Sequence, residues 1–341
     1  MPNETNEILN PAVAAPVAPV PPVASAAPVA PAAPVASVAP DAPDADVAPV
    51  VRAERIDRRI ATFADTQTAL ATLGIPERRV SGDRRRNLFH KWQRVELGGL
   101  PVVVVDRQEA ARVIVDEALR RHNLWRYPAY LTSTNGEVTY RCDVDQDERS
   151  LFMQADAISA DGMIHVFVSR LKGGAALPER VATSDLFYDV AKLAEADGAT
   201  MFMLGATPEA NQAAADAVRS EFPNLKLIGH RHGYFDGPAD EIAACDGIAR
   251  LAPDILWVSM GVPREQEFVV RNRLRLSSVG VIKTSGGLFD FLSGNAVRAP
   301  LWMQNIGFEW LWRLCQEPRR LAWRYLKTNP RALYLLLTKS R

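Results

Sequence analysis

The residue of this sequence best suited to acid–base chemistry is Asp161, which precedes Gly162 at the end of a short apolar run. A carboxylate at the end of a strand projects beyond the sheet, where it could accept a proton from an attacking hydroxyl group. Aspartate is equally common as a turn residue or a helix N-cap, and spacing alone does not separate these roles. Asp161 is therefore a candidate general base.

Glycine-containing turns follow several other apolar runs, as in Gly205-Ala206, Gly261-Val262-Pro263 and Gly286-Gly287. Glycine lets the backbone approach a ligand closely, and the N-terminus of a following helix offers free N–H groups to phosphate. Such turns also occur at ordinary strand–helix joints. Together they predict a nucleotide or sugar-phosphate cleft, whereas the missing GxGxxG and GxxxxGK[ST] patterns disfavour a dinucleotide dehydrogenase or a P-loop enzyme.

Two patterns resemble metal sites. Asp143 and Asp145 form a DxD pair, but they lie in an acidic stretch that we interpret as a solvated surface. His230 and His232 follow an apolar run and could contact a ligand, yet two imidazoles without nearby thiolates or carboxylates make a poor metal site. We therefore expect no metal, and no cofactor other than the substrates.

The overall composition excludes some classes of protein. The chain has 40 basic and 40 acidic residues, so its net charge gives no reason to expect nucleic acid as a partner. Cys142, Cys245 and Cys315 form no CxxC, which argues against disulfides or zinc and favours a reducing compartment. The sequence has neither a signal-peptide pattern nor about 18 consecutive apolar residues, so we expect neither export nor a membrane span.

The elements that must position these residues alternate along the chain from about residue 95. Apolar runs typical of strands cover residues 100–105, 129–133, 157–159, 200–204, 226–229, 255–259 and 279–284. Helical patterns cover residues 107–121, 186–197, 208–222, 239–251 and 263–274. This alternation predicts an α/β, Rossmann-like domain over 95–295, with a mainly parallel sheet and helices on both faces. Ligands of such folds bind beyond the carboxyl ends of the strands.

The N-terminal part has a different composition. The first 50 residues contain 12 of the 24 prolines, and Ala and Val supply most of the rest. Such a segment cannot build a core, so residues 1–51 are predicted to be a disordered tail. Residues 52–94 are predicted to be a helical and charged linker, with the helix over 52–74. The tail is either a spacer for a partner or a dispensable extension, and the sequence leaves both open.

The C-terminal part, residues 296–341, is basic and rich in tryptophan. It has nine Lys or Arg and two Glu, a local net charge of +7, together with four of the seven tryptophans. This composition is typical of helices that lie in an anionic membrane surface, and ordinary helices that pack tryptophan on a core are the alternative. Helical spacing predicts that Arg313, Arg320 and Arg324 come together, and such a cluster could bind a diphosphate.

Ordered motifs give the sequence a resemblance to a known family. Those between 133 and 263 are Ser133-Thr134-Asn135, Ala160-Asp161-Gly162-Met163, Pro178-Glu179-Arg180-Val181, Asp185-Leu186, Gly233-Tyr234-Phe235, Pro253-Asp254-Ile255-Leu256 and Gly261-Val262-Pro263. Those beyond are Gly287-Leu288-Phe289-Asp290, Arg298-Ala299-Pro300-Leu301-Trp302-Met303, Glu309-Trp310-Leu311-Trp312-Arg313 and Glu317-Pro318-Arg319-Arg320. In this order they resemble the WecG/TagA/CpsF glycosyltransferases of bacterial polysaccharide and teichoic acid synthesis.

The resemblance implies an inverting transfer of a hexose from a UDP-sugar to a saccharide on a polyprenyl-diphosphate carrier. The protein would act in exopolysaccharide or surface-glycan synthesis, as a peripheral protein at the cytoplasmic face of the plasma membrane. The family's proposed base falls on Asp161, and polar residues of the same cleft fall on Ser133 and Asn135. Arginines that neutralise the leaving diphosphate fall on Arg313, Arg320 and Arg324.

The remaining motif positions imply a site for the donor. We assign six residues to it: Gly205, Gly261, Pro263, Gln266, Gly287 and Asp290. The sequence departs from the family pattern at Ser133, in Thr183-Ser184-Asp185, in Gly205-Ala206-Thr207-Pro208 and at a Glu within Pro263-Arg264-Glu265-Gln266-Glu267, which leaves the identity of the sugar open. Two other functions remain open, namely a non-catalytic, membrane-associated module that binds nucleotide sugars or scaffolds an assembly complex, and a sugar-nucleotide epimerase or dehydrogenase. The oligomeric state is also open, a homo-oligomer included.

Overall fold

A computed structural model describes residues 87–122 and 127–341 of the protein. Its strands are β1 (Arg94–Leu97), β2 (Leu100–Val103), β3 (Ala129–Thr134), β4 (Ala157–Ala160), β5 (Thr200–Gly205), β6 (Lys226–Arg231), β7 (Ile255–Ser259) and β8 (Val281–Thr284). They form one sheet of eight strands in the order β1-β2-β4-β3-β8-β7-β5-β6. Only the β1–β2 pair is antiparallel. The expected mainly parallel sheet is therefore confirmed.

All seven strands predicted from the sequence are present, whereas β1 was missed. β1 and β2 form a hairpin whose turn residues, Gly98 and Gly99, have φ angles of 59° and 82°. Positive φ at both turn positions suits the tight hairpin turn that matches the twist of antiparallel strands. β1 is four residues long, and its alternating exposed and buried positions gave too short a pattern to recognise.

The helices are α1 (Arg107–Arg121), α2 (Gly136–Val144), α3 (Gln146–Met153), α4 (Met163–Lys172), α5 (Thr183–Asp197), α6 (Pro208–Glu221), α7 (Pro238–Leu251), α8 (Arg264–Asn272), α9 (Leu288–Leu292), α10 (Leu301–Asn305), α11 (Glu309–Gln316) and α12 (Pro318–Thr338). The five predicted helices correspond to α1, α5, α6, α7 and α8. Helices α2, α3, α4 and α9 were not predicted, and each of them has ten residues or fewer.

Alternate residues of the central strands pack against helices on opposite faces of the sheet. Met201 and Trp257 point into a core that α1, α5 and α6 cover, whereas the neighbouring Phe202 and Leu256 point into a core that α7 and α8 cover. Near-continuous burial of both faces is the condition for a stable parallel sheet. The prediction of helices on both faces is thus confirmed.

The basic C-terminal part is helical, as predicted, and α12 packs on the domain. Leu336 is fully buried in a core with residues of β1, β2 and α4. Asp143 accepts hydrogen bonds from Arg331 and Lys339, each at 2.8 Å, so α12 is held to the end of α2. The interpretation of Asp143–Glu148 as a solvated stretch was therefore wrong for Asp143, and Asp145 is the N-cap of α3.

The folded part begins before residue 95, because Phe89 is fully buried and Trp92 packs in the same core. The predicted disordered tail over 1–51, the helix over 52–74 and the rest of the predicted linker up to residue 86 lie outside the described residues. Within residues 87–122 and 127–341, no helix has both the length and the apolar character needed to cross a bilayer.

Candidate functional site

The candidate site lies where the two halves of the sheet meet. β3 belongs to the first half of the chain and pairs in parallel with β8, the last strand. The direction in which the chain builds the sheet changes at this pair, and the crevice outside such a point is the usual ligand site of an open α/β sheet. Ser133 lies near the end of β3, Lys283 near the end of β8, and Asp161 directly after the adjacent β4.

Asp161 is held by the backbone and by one hydroxyl group. Its N–H donates to the carbonyl oxygen of Thr134 at 2.8 Å, which fixes the turn between β4 and α4. The Thr183 hydroxyl donates to Asp161 Oδ2 at 3.2 Å. Burial raises the pKa of Asp161, while Arg180, Lys283 and the Thr183 hydrogen bond oppose that rise. A carboxyl group with a raised pKa is suited to general base catalysis near neutral pH.

Ser133 connects Asp161 to a buried lysine. Its hydroxyl lies 3.2 Å from Thr183 Oγ1 and 3.1 Å from Ser159 Oγ, and it accepts a hydrogen bond from Lys283 Nζ at 2.7 Å. Lys283 is 1% exposed and donates a second hydrogen bond to the carbonyl oxygen of Thr284 at 2.9 Å. Sequence analysis missed Lys283. The available signal was a lone charged residue inside the otherwise apolar run over 279–284.

Arg180 and Arg298 form a second set that sequence analysis did not assign. Arg180 pairs with Glu309 at 2.7 Å and donates to Gln304 Oε1 at 2.6 Å, so it binds the C-terminal part. Arg298 pairs with Asp185 at the start of α5 and also donates to Gln304 Oε1, at 2.7 Å. Both guanidinium groups lie close enough to Asp161 to interact with its charge. Arg180 belongs to the motif Pro178-Glu179-Arg180-Val181. The Val181 N–H donates to the Ala160 carbonyl oxygen, which places this motif beside β4.

The arginines expected to neutralise diphosphate have other contacts. Arg313, on α11, stacks its guanidinium group on the Phe291 ring at 4.8 Å. Arg324, on α12, forms an ion pair with Glu137 at 3.3 Å. Arg320 lies at the start of α12, and its side chain is outside the described atoms. The role of these three arginines toward diphosphate therefore stays a prediction, and the arginines that act on the charge of Asp161 in this structure are Arg180 and Arg298.

Among the expected donor residues, Gly205 and Gln266 have structural explanations. A Cβ atom on Gly205 would lie 2.1 Å from the Ser259 carbonyl oxygen, so the close approach of β5 and β7 requires glycine. Gln266 is buried and donates to Thr132 Oγ1 at 3.3 Å and to Glu265 Oε1 at 3.1 Å. Its side chain is enclosed between α8 and the sheet, and donor contact by Gln266 stays a prediction.

The other expected residues lie at the carboxyl edge of the sheet. Gly261 and Pro263 are half-buried between β7 and α8, whereas Gly287 and Asp290 are exposed around the start of α9. Asn135 is exposed, and its side-chain oxygen caps α2 by accepting from the Val138 N–H at 3.1 Å.

Glu265 stabilises the loops at this edge of the sheet. It is buried, and it accepts hydrogen bonds from the Gly286 N–H at 2.9 Å and the Met260 N–H at 3.3 Å. Burial raises the pKa of Glu265, and these two backbone N–H groups act in the opposite direction. Glu265 thereby joins the loops that follow β7 and β8.

The histidines and the DxD pair do not converge in the structure. His230 Nδ1 lies 2.8 Å from the amide oxygen Oδ1 of Asn211, so this imidazole contacts another side chain of the fold. Over the part of the chain that the structure describes, no three His, Cys, Asp or Glu side chains gather as metal ligands would. The chemistry that the site can supply from its own residues is proton abstraction by Asp161, beside the positive charges of Arg180 and Arg298.

The geometry agrees with comparisons to known proteins. The model of the WecG/TagA/CpsF glycosyl transferase family matches residues 95–341. An N-acetylglucosaminyldiphosphoundecaprenol N-acetyl-beta-D-mannosaminyltransferase of Bacillus subtilis (strain 168) is 30% identical over 213 residues, which are 62% of this chain and 80% of the relative. The protein of the same name from Bacillus spizizenii (strain ATCC 23059 / NRRL B-14472 / W23) matches with the same identity and coverage. The chain therefore belongs to the WecG/TagA/CpsF family and is a glycosyltransferase.

Proposed function

We propose that the protein transfers a hexose from a UDP-sugar, with inversion, to a saccharide carried on a polyprenyl diphosphate. Asp161 takes the proton from the acceptor hydroxyl as its oxygen attacks the anomeric carbon, and UDP leaves. The product belongs to an exopolysaccharide or another surface glycan. The names of both Bacillus relatives describe an undecaprenyl-diphosphate-linked acceptor, which supports this class of acceptor for the present chain.

The observation that carries the proposal is the environment of Asp161. Its carboxyl group lies at the carboxyl edge of the sheet, burial raises its pKa, and the charges of Arg180, Arg298 and Lys283 act on it. Removing a well-placed general base lowers a rate by about 10²- to 10⁴-fold. Cationic groups nearby stabilise the negative charge that develops on the leaving diphosphate. Catalysis then depends on positioning and charge, without a covalent intermediate.

The C-terminal part provides a surface for a membrane. On α10 and α12, Leu301 and Trp323 are each 74% exposed, Leu326 is 68% exposed and Trp302 is 63% exposed. Exposed indole and leucine side chains on basic helices insert at the level of anionic headgroups. This surface supports peripheral attachment at the cytoplasmic face, where a lipid-linked acceptor is reached without extraction from the bilayer.

Transfer is proposed to be independent of metal. Asp143 forms ion pairs with Arg331 and Lys339, and Asp145 caps α3, so both aspartates of the DxD pair already have structural partners. The charge of the leaving diphosphate would be met by guanidinium groups, which bind phosphate oxygens with paired hydrogen bonds.

The test uses purified full-length protein, a panel of UDP-hexoses and a polyprenyl-diphosphate saccharide, with and without EDTA. Asp161→Asn is expected to lower turnover at least about 100-fold, while Asp216→Asn, at an exposed site on α6, retains wild-type turnover. Full activity of Asp161→Asn would contradict the base assignment, and loss of activity in EDTA would contradict metal independence. Binding of UDP without any transfer would favour a non-catalytic role.

Membrane attachment is tested separately, because removal of α12 would expose the core around Leu336. A double variant, Trp302→Ser with Trp323→Ser, changes only exposed side chains. It is expected to sediment less with vesicles that contain anionic lipid, while its thermal midpoint stays near that of the wild type. Unchanged sedimentation would show that this face does not bind the bilayer.

A further inference from the structure

Lys283 carries its charge in the interior of the sheet, where charged side chains are rarely found. It lies on β8, a central strand whose other residues are buried, and it is itself 1% exposed. Its two hydrogen-bond partners, Ser133 Oγ and the Thr284 carbonyl oxygen, are neutral. No carboxylate of the described residues forms an ion pair with it. A buried ammonium group without a direct counter-ion is costly, so its presence requires an explanation.

Hydrogen bonds lead from this lysine to the candidate base. Lys283 Nζ donates to Ser133 Oγ at 2.7 Å, Ser133 Oγ lies 3.2 Å from Thr183 Oγ1, and Thr183 Oγ1 donates to Asp161 Oδ2 at 3.2 Å. The three bonds form a continuous path between β8, β3, α5 and the turn after β4. Thr183 donates its hydroxyl hydrogen to Asp161 and Lys283 donates to Ser133, so the two ends of the path are directed toward the carboxylate.

We propose that Lys283 is a positioning residue for Asp161, which keeps the Asp161 carboxylate ionised and oriented through Ser133 and Thr183. The inference rests on the proposed role of Asp161 as the general base. Burial opposes ionisation of Asp161, and a cation that is fixed in the sheet offsets this effect. Lys283 does not contact substrate, because it is enclosed beneath the edge of the sheet.

Other charges also act on these two groups. Arg180 and Arg298 favour the ionised form of Asp161, and Glu309 disfavours it. Burial lowers the pKa of Lys283 to about 8, while the charges of Asp161 and Glu265, which do not contact it directly, favour its charged form. The ammonium form of Lys283 therefore persists through neutral pH and is lost as the pH rises through about 8.

The experiment compares wild-type protein with Lys283→Met, a variant of similar length without the charge. Loss of the cation raises the pKa of Asp161, so the acid limb of the kcat/KM profile is expected to move to higher pH by about one unit. The two profiles converge above pH 8, where wild-type Lys283 is itself neutral. A purely structural role would lower activity at every pH without moving the limb. Thr284→Val, a change to a neighbouring buried hydroxyl, is the control and leaves the limb in place.

A second readout needs no turnover. Full-length protein labelled with ¹³C at aspartate carboxyl groups is titrated by NMR, and the Asp161 signal is identified by its absence in Asp161→Asn. In Lys283→Met this signal is expected to titrate at higher pH than in wild type. Ser133→Ala retains the lysine but breaks the path, so it shifts the signal in the same direction by a smaller amount. If Lys283→Met fails to fold, the titration of the Asp161 signal in Ser133→Ala tests the proposal in its place.

The outcomes separate this inference from the proposed function. An Asp161 signal that titrates identically in wild type, Lys283→Met and Ser133→Ala overturns the role of Lys283, whatever the reaction is. A shifted signal together with full activity of Asp161→Asn leaves the electrostatic link intact and refutes the base assignment.

Discussion

The ion pair between Arg180 and Glu309 joins the α/β domain to the C-terminal helices, so Glu309→Gln should loosen that attachment. The two charged groups are 2.7 Å apart, and their side chains are 13% and 23% exposed. Exposed pairs contribute at most about 1 kcal/mol, and breaking a fully buried pair costs about 3–5 kcal/mol. A pair of intermediate exposure, whose arginine retains Gln304 as a partner, should contribute about 1–2 kcal/mol.

Hydrogen exchange measured by mass spectrometry reports this free energy locally. A loss of about 1–2 kcal/mol corresponds to exchange about 5- to 30-fold faster for amides in 298–316, with little change in the central strands. Asp216→Asn breaks a matched but exposed ion pair with Arg219 and should leave exchange unchanged. A double-mutant cycle with Arg180→Met isolates the pair, since the effects of its two members should not add. Unchanged exchange in 298–316, or a uniform increase throughout the sheet, would refute the reasoning.

The same substitution has an effect of defined sign on catalysis. Glu309 raises the pKa of Asp161, so its neutralisation lowers that pKa. A general base must be ionised, and the acid limb of kcat/KM in Glu309→Gln is therefore expected at lower pH than in wild type. An acid limb that moved to higher pH would contradict the placement of Glu309 beside Asp161.

Three further predictions concern other parts of the structure. Burial raises the pKa of the Cys142 and Cys245 thiols to about 12, so native protein treated with a maleimide should be labelled only at the exposed Cys315, as read by peptide mass spectrometry. Asp254 accepts hydrogen bonds from the N–H and hydroxyl of Thr200 at 2.8 Å, so Asp254→Ala should lower the free energy of urea unfolding by about 2–3 kcal/mol, and an unchanged midpoint would argue against this network. Gly205→Ala places Cβ against the Ser259 backbone at φ 140°, so the thermal midpoint should fall markedly, whereas Gly174→Ala, where Cβ meets no atom within 4 Å, should have little effect.

The strand pattern could be predicted because both faces of the central strands are buried, which produces the short apolar runs that sequence analysis detects. The position of Asp161 at the end of a strand could also be predicted, since it follows a short apolar run directly. Lys283 could not, because its function depends on Ser133 and Thr183, which are distant in sequence and meet only when β3, β8 and α5 assemble. The pairing of Arg180 with Glu309 could not be predicted for the same reason, because 129 residues separate them in sequence. The local excess of arginine in 296–341 predicts a cationic segment. It does not predict which individual residues of that segment face Asp161.

Lys283 and Glu309 act on Asp161 from different parts of the fold and with opposite sign, so their effects should offset one another. Lys283 lies within the sheet and favours the carboxylate, whereas Glu309 enters with the C-terminal helices and favours the protonated form. If both act through charge, the acid limb of the double variant Lys283→Met with Glu309→Gln should lie between those of the two single variants, near the wild-type position. A double variant whose limb coincides with that of either single variant would show that one residue acts by rearranging the site. Measuring the three profiles together therefore separates control of the base by charge from control by structure.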